Sequence, residues 1–316
     1  MSDTDRAETR RERAAARRLE RQERLSQRGT RIVDAPLAPP SANSGLLEVF
    51  RRRYLLSLLV RREISARYQG SFLGLFWSYI QPATRLAMYY FVISVILDKG
   101  IENFAIHLFA GLVIVHYFTE TFGAGTHSIV RNKALVRKMA VPREMFPVAS
   151  MLTSAYHVIP GMVLLTIFCV GLGWRPDPTG MAAVLLGFTL VAIWGTGLAL
   201  LFSAANVFFR DFSNVVQTLT QFTTFSVPMI YPYSMVSERF GDYAHYYLFN
   251  PMAEAVLLFQ RGFWAGTTKD VEATLVDHFP ENLFLIGFAH VGVALVFLVI
   301  AQLAFTRLEN KIPERL

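Results

Sequence analysis

Apolar residues in this chain gather into six runs, 72–97, 104–122, 146–171, 181–209, 215–235 and 283–305, with polar or basic stretches between them. Each run is near or above the roughly 20 residues that an α-helix needs to cross about 30 Å of hydrocarbon. The pattern predicts an all-α polytopic membrane protein with six transmembrane helices. Two further stretches read as helices that do not span. LLEVFRRRYLLSLLVRREISARY, 46–68, sets leucine clusters between arginine blocks. On a helix, Leu55, Leu58, Leu59 and Ile64 share one side while Arg53, Arg61 and Arg67 flank it, the pattern of an amphipathic helix lying in the interface. NPMAEAVLLFQRGFWAG, 250–266, puts Pro251 at a first helical position and Gly266 at an end, with an apolar stretch too short to cross. It predicts a re-entrant or outer-leaflet helix region between the fifth and sixth spans.

Four segments follow from this reading: a disordered basic cytoplasmic tail at 1–44, the interfacial amphipathic helix at 45–70, the six-span domain at 71–306, and a cytoplasmic tail at 307–316. The first of these is rich in Arg, Glu and Ala and then in Pro and Ser, a composition that cannot build a core. It is read as a solvated tail near anionic lipid or, more sharply, as a docking helix for a partner. An apolar signal region near the start is missing, so the tail is expected to stay inside. Basic residues set the orientation. With the amino terminus inside, the inner loops hold Arg131, Lys133, Arg137, Lys138, Arg143 and Arg210, and the last tail holds Arg307, Lys311 and Arg315. Outer loops hold fewer bases, diluted by acids, which places both termini in the cytoplasm of a cell with this chain in its inner membrane.

Composition narrows the function classes. Of 316 residues 53% are hydrophobic and 17% charged, and the formal charge of +7 comes from the amino-terminal segment and the loops, where topology asks for it. Nucleic acid is therefore not an expected partner. The single cysteine, Cys169, lies in an apolar run and offers no disulfide or thiolate site. Seven histidines show no paired ligand spacing, so no metal site is expected; His157 and His290 read as polar helix contacts. The acids are scattered singly, which argues against a membrane-embedded glycosyl or acyl transferase needing an acid–base pair. No GxxxxGK[ST] loop is present, so ATP hydrolysis would have to come from another chain.

Two polar stripes interrupt apolar runs. Gln217, Thr220, Gln221 and Thr224 recur at helical spacing in the fifth run, and Ser78, Gln81 and Arg85 do so in the first, with Tyr89 a turn beyond. Polar groups at membrane depth are costly unless they face protein or water, so both stripes should turn away from lipid. They line a conduit or glue a seam between two copies. Arg85, close to Pro82, snorkels to the surface or meets an anionic headgroup.

Several ordered motifs carry a resemblance: RREISARYQGSFLGLFWSYIQP at 61–82, then Asn132, Leu135, Lys138, Pro142, Arg143 and Pro147, the pair Arg210 and Asp211, Tyr231 and Pro232, and Asn250, Pro251, Gln260 and Arg261. With these the chain resembles the permease subunits of type-2 ABC exporters, in the branch that exports O-antigen, teichoic acid and other lipid-linked cell-wall polysaccharides. The resemblance implies a transport permease with no catalytic residues and no cofactor of its own, ATP and Mg being bound by a partner subunit. It implies a homodimer with two ATP-binding cassette subunits, moving a polyprenyl-diphosphate-linked glycan outward through membrane lipids. Arg61, Glu63, Arg67, Asn132, Leu135, Lys138, Pro142, Arg143, Arg210 and Asp211 would then couple to the ATPase, although the inner loops also read simply as positive-inside segments. Tyr79, Gln81, Arg85, Tyr89, Gln217, Gln221, Thr224, Phe225 and Tyr231 would line the substrate path. Tyr243, Tyr246, Tyr247, Phe263 and Trp264 are interfacial aromatics, or a lining on which sugars stack at the exit. An exporter of drugs or small lipids from the same superfamily is the main alternative.

Overall fold

A computed structural model describes residues 45–92, 101–138, 141–309 and 311–315; the expectations for the tail at 1–44 lie outside them. Among the described residues helices are the only regular secondary structure, and no strand forms. The amphipathic segment is two helices, α1 (Gly45–Arg51) and α2 (Arg53–Tyr68), followed by α3 (Trp77–Tyr90), α4 (Phe104–Arg131) and a short α5 (Lys133–Lys138) in the basic loop. Next come α6 (Met145–Gly171), α7 (Pro178–Phe208), α8 (Phe212–Phe225), α9 (Tyr233–Phe240), α10 (Ala244–Tyr247), α11 (Pro251–Phe263), α12 (Val271–His278), α13 (Leu283–Glu309) and α14 (Ile312–Arg315).

Four of these helices, α4, α6, α7 and α13, are long and apolar enough to cross a membrane. The first apolar run is described only as far as residue 92, where α3 supplies 14 helical residues. The fifth run is not one helix. Its first part, α8, has 14 residues, about 21 Å at 1.5 Å per residue. The chain leaves the helix at Ser226 and turns through Pro228 and Pro232 before α9 begins. Proline has no amide hydrogen and its ring collides with the preceding turn, so the pair holds this segment out of the helix.

The central helix is α4, which packs along α6 and α7, while α7 also carries α13 and α11. Of the four long helices α13 is the least buried: Leu285, Phe288, Val296 and Val299 stand exposed along it, as suits a face turned to lipid. The amphipathic α2 lies on α6, with Leu56 buried and Leu55, Leu59 and Val60 packed beside Met145, Val148 and Ala149. Leu58, expected on that face, is exposed instead.

The helix expected at 250–266 forms as α11, with Pro251 at its first position and the Asn250 side chain accepting from the Met252 amide at 3.0 Å. It is buried on nearly all sides by α4, α7 and α13. Gln260 near its end donates to the Pro228 carbonyl at 2.8 Å and to the His107 carbonyl at 3.2 Å, so it satisfies the backbone opened by the break in the fifth run. Phe263 and Trp264 correct the interfacial reading, since both are buried against the bundle, while Tyr243 and Tyr246 are exposed.

A fork of hydrogen bonds joins α11 to the start of α7. Arg261 donates from Nη1 and Nη2 to the two Asp177 oxygens at 3.0 and 2.9 Å, and Asp177 also accepts from the Gly180 amide at 3.0 Å as the cap of α7. Partial burial pushes the Asp177 carboxyl upward, but the hydrogen bonds from Arg261, Thr179 and Gly180 outweigh it and bring the group down to about 2. A depressed carboxyl stabilises the fold above its unfolded value and loses that contribution as pH falls through the folded one. Asp177→Asn should therefore cost about 1–2 kcal/mol at neutral pH, a modest figure because the carboxylate is partly exposed. Thermal unfolding in detergent at pH 7 and at pH 2 checks this: the gap between the two proteins should narrow at the lower pH.

A charged crevice as the candidate functional site

Helical spacing brings four polar faces together at one place. The last turns of α2 set Glu63 and Arg67 one turn apart; α3 presents Ser78, Gln81 and Arg85; α4 presents His116 and Glu120; and α6 presents Ser150, Thr153, Ser154 and His157. These faces enclose two adjoining cavities. One, of about 550 Å³, is lined by Arg62, Glu63, Arg67, Glu120, Arg131 and Asn132 together with the α6 hydroxyls. The other, of about 330 Å³, is lined by Arg67, Tyr68, Ser78, Gln81, His116 and His157. Arg67 and His157 border both.

Glu120 is the hub where they meet. Its side chain is mostly buried, and it accepts a hydrogen bond from Arg67 Nη1 of α2. His157 Nδ1 of α6 lies 3.0 Å from the same carboxylate, and His116 Nε2 lies 3.3 Å from its other oxygen. Arg67 Nη1 is 2.6 Å from His157 Nδ1, so that nitrogen either accepts from the guanidinium or donates to the carboxylate. Arg85 closes the chain from α3, its Nη1 3.4 Å from His116 Nδ1. Four helices thus contribute to one ionic cluster holding one acid, two arginines and two imidazoles.

A second set of contacts anchors α2 lower in the larger cavity. Glu63 accepts from Arg131 Nη2, Ser150 Oγ and Thr153 Oγ1, each at 3.4 Å. Arg62 donates to Asn132 Oδ1 at 3.1 Å, and Asn132 donates to the Ser128 carbonyl at 2.9 Å. A groove of positive groups with hydroxyl and imidazole donors is chemistry suited to an anion of more than one charge.

The residues expected to touch a motor divide by exposure. Arg61, Lys138, Arg210 and Asp211 are exposed, the last two on the tight turn between α7 and α8. Leu135 is half-buried, packing beside Ile129, Val136 and Val141. Asn132, Pro142 and Arg143 are buried, and Arg143 donates to the Glu309 carbonyl at the end of α13. Glu63 and Arg67 face the crevice. Of the residues expected on the path, Gln81 lines the smaller cavity, and Arg85 borders an adjoining, mostly apolar pocket together with Gln81, His116 and His157, whereas Tyr79 and Tyr89 are half-buried along α3. Gln217, Gln221 and Phe225 are exposed on α8, Thr224 returns its hydroxyl to the Thr220 carbonyl, and Tyr231 meets the Tyr247 hydroxyl at 3.2 Å. The α3 stripe packs on α4 and α6, and α8 packs on α4 and α7.

Sequence reasoning missed Glu120, His116 and the charged setting of His157. The signal was present as a histidine and a glutamate four residues apart in an apolar run, the spacing that stacks side chains on one helix face.

Comparison with known proteins adds family to geometry. The model of the family described as ABC-2 type transporter matches residues 54–264. An O-antigen export system permease protein, RfbA of Myxococcus xanthus, is 28% identical over 226 residues, covering 71% of this chain and 86% of its own. One from Klebsiella pneumoniae is 26% identical over 217 residues, covering 68% and 83%. The capsule polysaccharide export inner-membrane protein CtrC of Neisseria meningitidis serogroup A is 22% identical over 233 residues, covering 70% and 83%.

Proposed function

The chain belongs to the ABC-2 type transporter family, and from that premise we propose that it is the membrane permease of a polysaccharide exporter. Its cargo is a glycan carried on a polyprenyl diphosphate, moved from the cytoplasmic to the outer face. Two copies work with two ATP-hydrolysing subunits that bind the nucleotide and Mg. The first run, and α8 with its broken continuation, complete six crossings with α4, α6, α7 and α13; both termini lie in the cytoplasm, and the membrane is the inner one. What supports the cargo class is the names of the relatives, which export O-antigen and capsule polysaccharide.

The observation that carries the mechanism is the charged crevice. A lipid-linked diphosphate needs a place where two phosphates leave the headgroup layer without losing all their partners. Arg67 on the interfacial helix and Arg85 on the next helix stand on either side of His116 and His157, which offers that place. Arg61, Lys138, Arg210 and Asp211 form the exposed set through which a motor pushes. The Gln217, Gln221 and Phe225 face of α8 is left for the glycan conduit between two copies.

Arg85 gives the reading its test. In cells that depend on this exporter, Arg85→Lys should retain glycan export and Arg85→Gln should lower it at least about tenfold, since it is the positive charge facing the phosphates that is lost. Equal export by all three proteins would remove Arg85 from the path. Copurification with the ATPase subunit and turnover that responds only to small amphiphiles would favour the drug or small-lipid exporter instead.

A further inference from the structure

On the reading that the crevice receives a diphosphate headgroup, we propose that Glu120 is its internal competitor, an anion that occupies Arg67 and the two imidazoles until a doubly charged headgroup displaces it. The carboxylate sits where an incoming phosphate oxygen would sit. It takes the guanidinium of Arg67 from α2, lies 3.0 Å from His157 on α6 and 3.3 Å from His116 on α4, while Arg85 on α3 reaches the far side of His116 at 3.4 Å. Those four groups are the ones linked to the carboxylate directly or through His116; the same larger cavity also holds Arg62, Glu63 and Arg131, of which Arg62 is held by Asn132 and Glu63 by Arg131, Ser150 and Thr153.

The consequence is selectivity by charge number. A membrane holds a large excess of phospholipids whose phosphodiester carries one negative charge. Exchanging Glu120 for such a headgroup swaps one negative charge for another and surrenders a tethered partner of high effective concentration. A diphosphate carries at least two. It can satisfy Arg67 and Arg85 together, and its second charge adds a Coulomb attraction that a singly charged headgroup lacks. Glu120 therefore costs the cargo some affinity and costs ordinary phospholipid most of it, which is specificity obtained by repelling the wrong ligand.

The test uses the full chain in phosphatidylcholine nanodiscs, with farnesyl diphosphate as the probe and phosphatidylglycerol as the competing lipid. Wild type should bind the probe and be displaced poorly by phosphatidylglycerol. Glu120→Gln, which keeps the shape and removes the charge, should bind both about tenfold or more tighter, with phosphatidylglycerol now competing effectively. Glu120→Asp, which keeps the charge, should retain the wild-type preference, and both variants should elute from gel filtration as wild type does. Unchanged or weaker binding of the probe by Glu120→Gln, with wild type binding it, overturns the competitor role and leaves the headgroup site standing. Probe binding in wild type that is unaffected by Arg67→Gln and Arg85→Gln, or absent altogether, overturns the headgroup site itself and the competitor with it.

Discussion

Replacing Gly262 with alanine should remove most of the folded protein recovered from the membrane. A Cβ at that position would stand 2.2 Å from Val184 Cγ2 and 2.6 Å from the Gly180 carbonyl oxygen. Val184 can turn, but the carbonyl belongs to the backbone of α7 and cannot yield without moving the helix. The two helices touch here through glycine on both sides, the close approach that small residues permit between membrane helices. Alanine ordinarily favours a helix over glycine by as much as about 1 kcal/mol, so intrinsic propensity predicts the opposite sign. Forcing a methyl group into backbone costs about 1–3 kcal/mol or more, and here it also separates Arg261 from Asp177 at the adjoining position. The overlap wins. The comparison is Gly292→Ala on α13, where a Cβ meets no atom within 4 Å and the recovered protein should match wild type. Fluorescence-detected gel filtration of the solubilised proteins reads both, and equal monodisperse recovery of Gly262→Ala would show that α7 and α11 can part at little cost.

How far the sequence foretold this architecture depends on the range over which each signal acts. The start of α11 was legible because its cause is local: Asn250 caps and Pro251 fits a first turn whatever lies around them. The long spans were legible because hydrocarbon demands length and apolarity along one continuous stretch. The fifth run misled for a related reason. Counting apolar residues joined 215 to 235, but the backbone conformation at Pro228 and Pro232 divides them, and Gln260, far along the chain, supplies the hydrogen bond that makes the break tolerable. The crevice was hidden more deeply. His157 looks like an isolated polar residue in its run, His116 and Glu120 look like a polar pair with nothing in sequence to partner it, and Arg67 looks like one more base in an arginine-rich junction. Only the packing of α2 and α4 against α6 makes a cluster of them, and that packing is settled by apolar surfaces such as Leu56 on Met145, Val148 and Ala149. The same limit explains Arg143, whose setting in a basic loop suggested an exposed contact and whose partner is the end of α13.

Trp264 shows how an aromatic near an apparent membrane boundary can be a structural centre, and Trp264→Ala should be the most costly truncation in the segment after α11. The ring is 1% exposed. Its Nε1 donates to the Glu102 carbonyl at 2.8 Å, its edge meets the His107 ring at 4.7 Å between centroids, and His278 and Phe279 close around it at 5.3 and 5.9 Å. It therefore joins the start of α4, the end of α11 and the end of α12. Around it Asn103 Nδ2 donates to the Thr267 carbonyl at 2.7 Å, and Thr267 donates from its backbone amide to the Trp264 carbonyl at 2.9 Å. Truncating a buried tryptophan costs about 3–5 kcal/mol, because the transfer energy of the ring is lost and a cavity remains. Trp264→Phe separates the two contributions: it keeps most of the apolar contact and loses the hydrogen bond, with the Glu102 carbonyl left to seek another donor, at about 1–3 kcal/mol. The exposed Tyr246, 57% accessible, is the control, and its alanine variant should unfold close to wild type. Chemical or thermal unfolding of the three purified proteins orders them. If Trp264→Ala unfolds no earlier than Tyr246→Ala, the segment after α11 is not held by this ring, and the interfacial reading of Trp264 is restored.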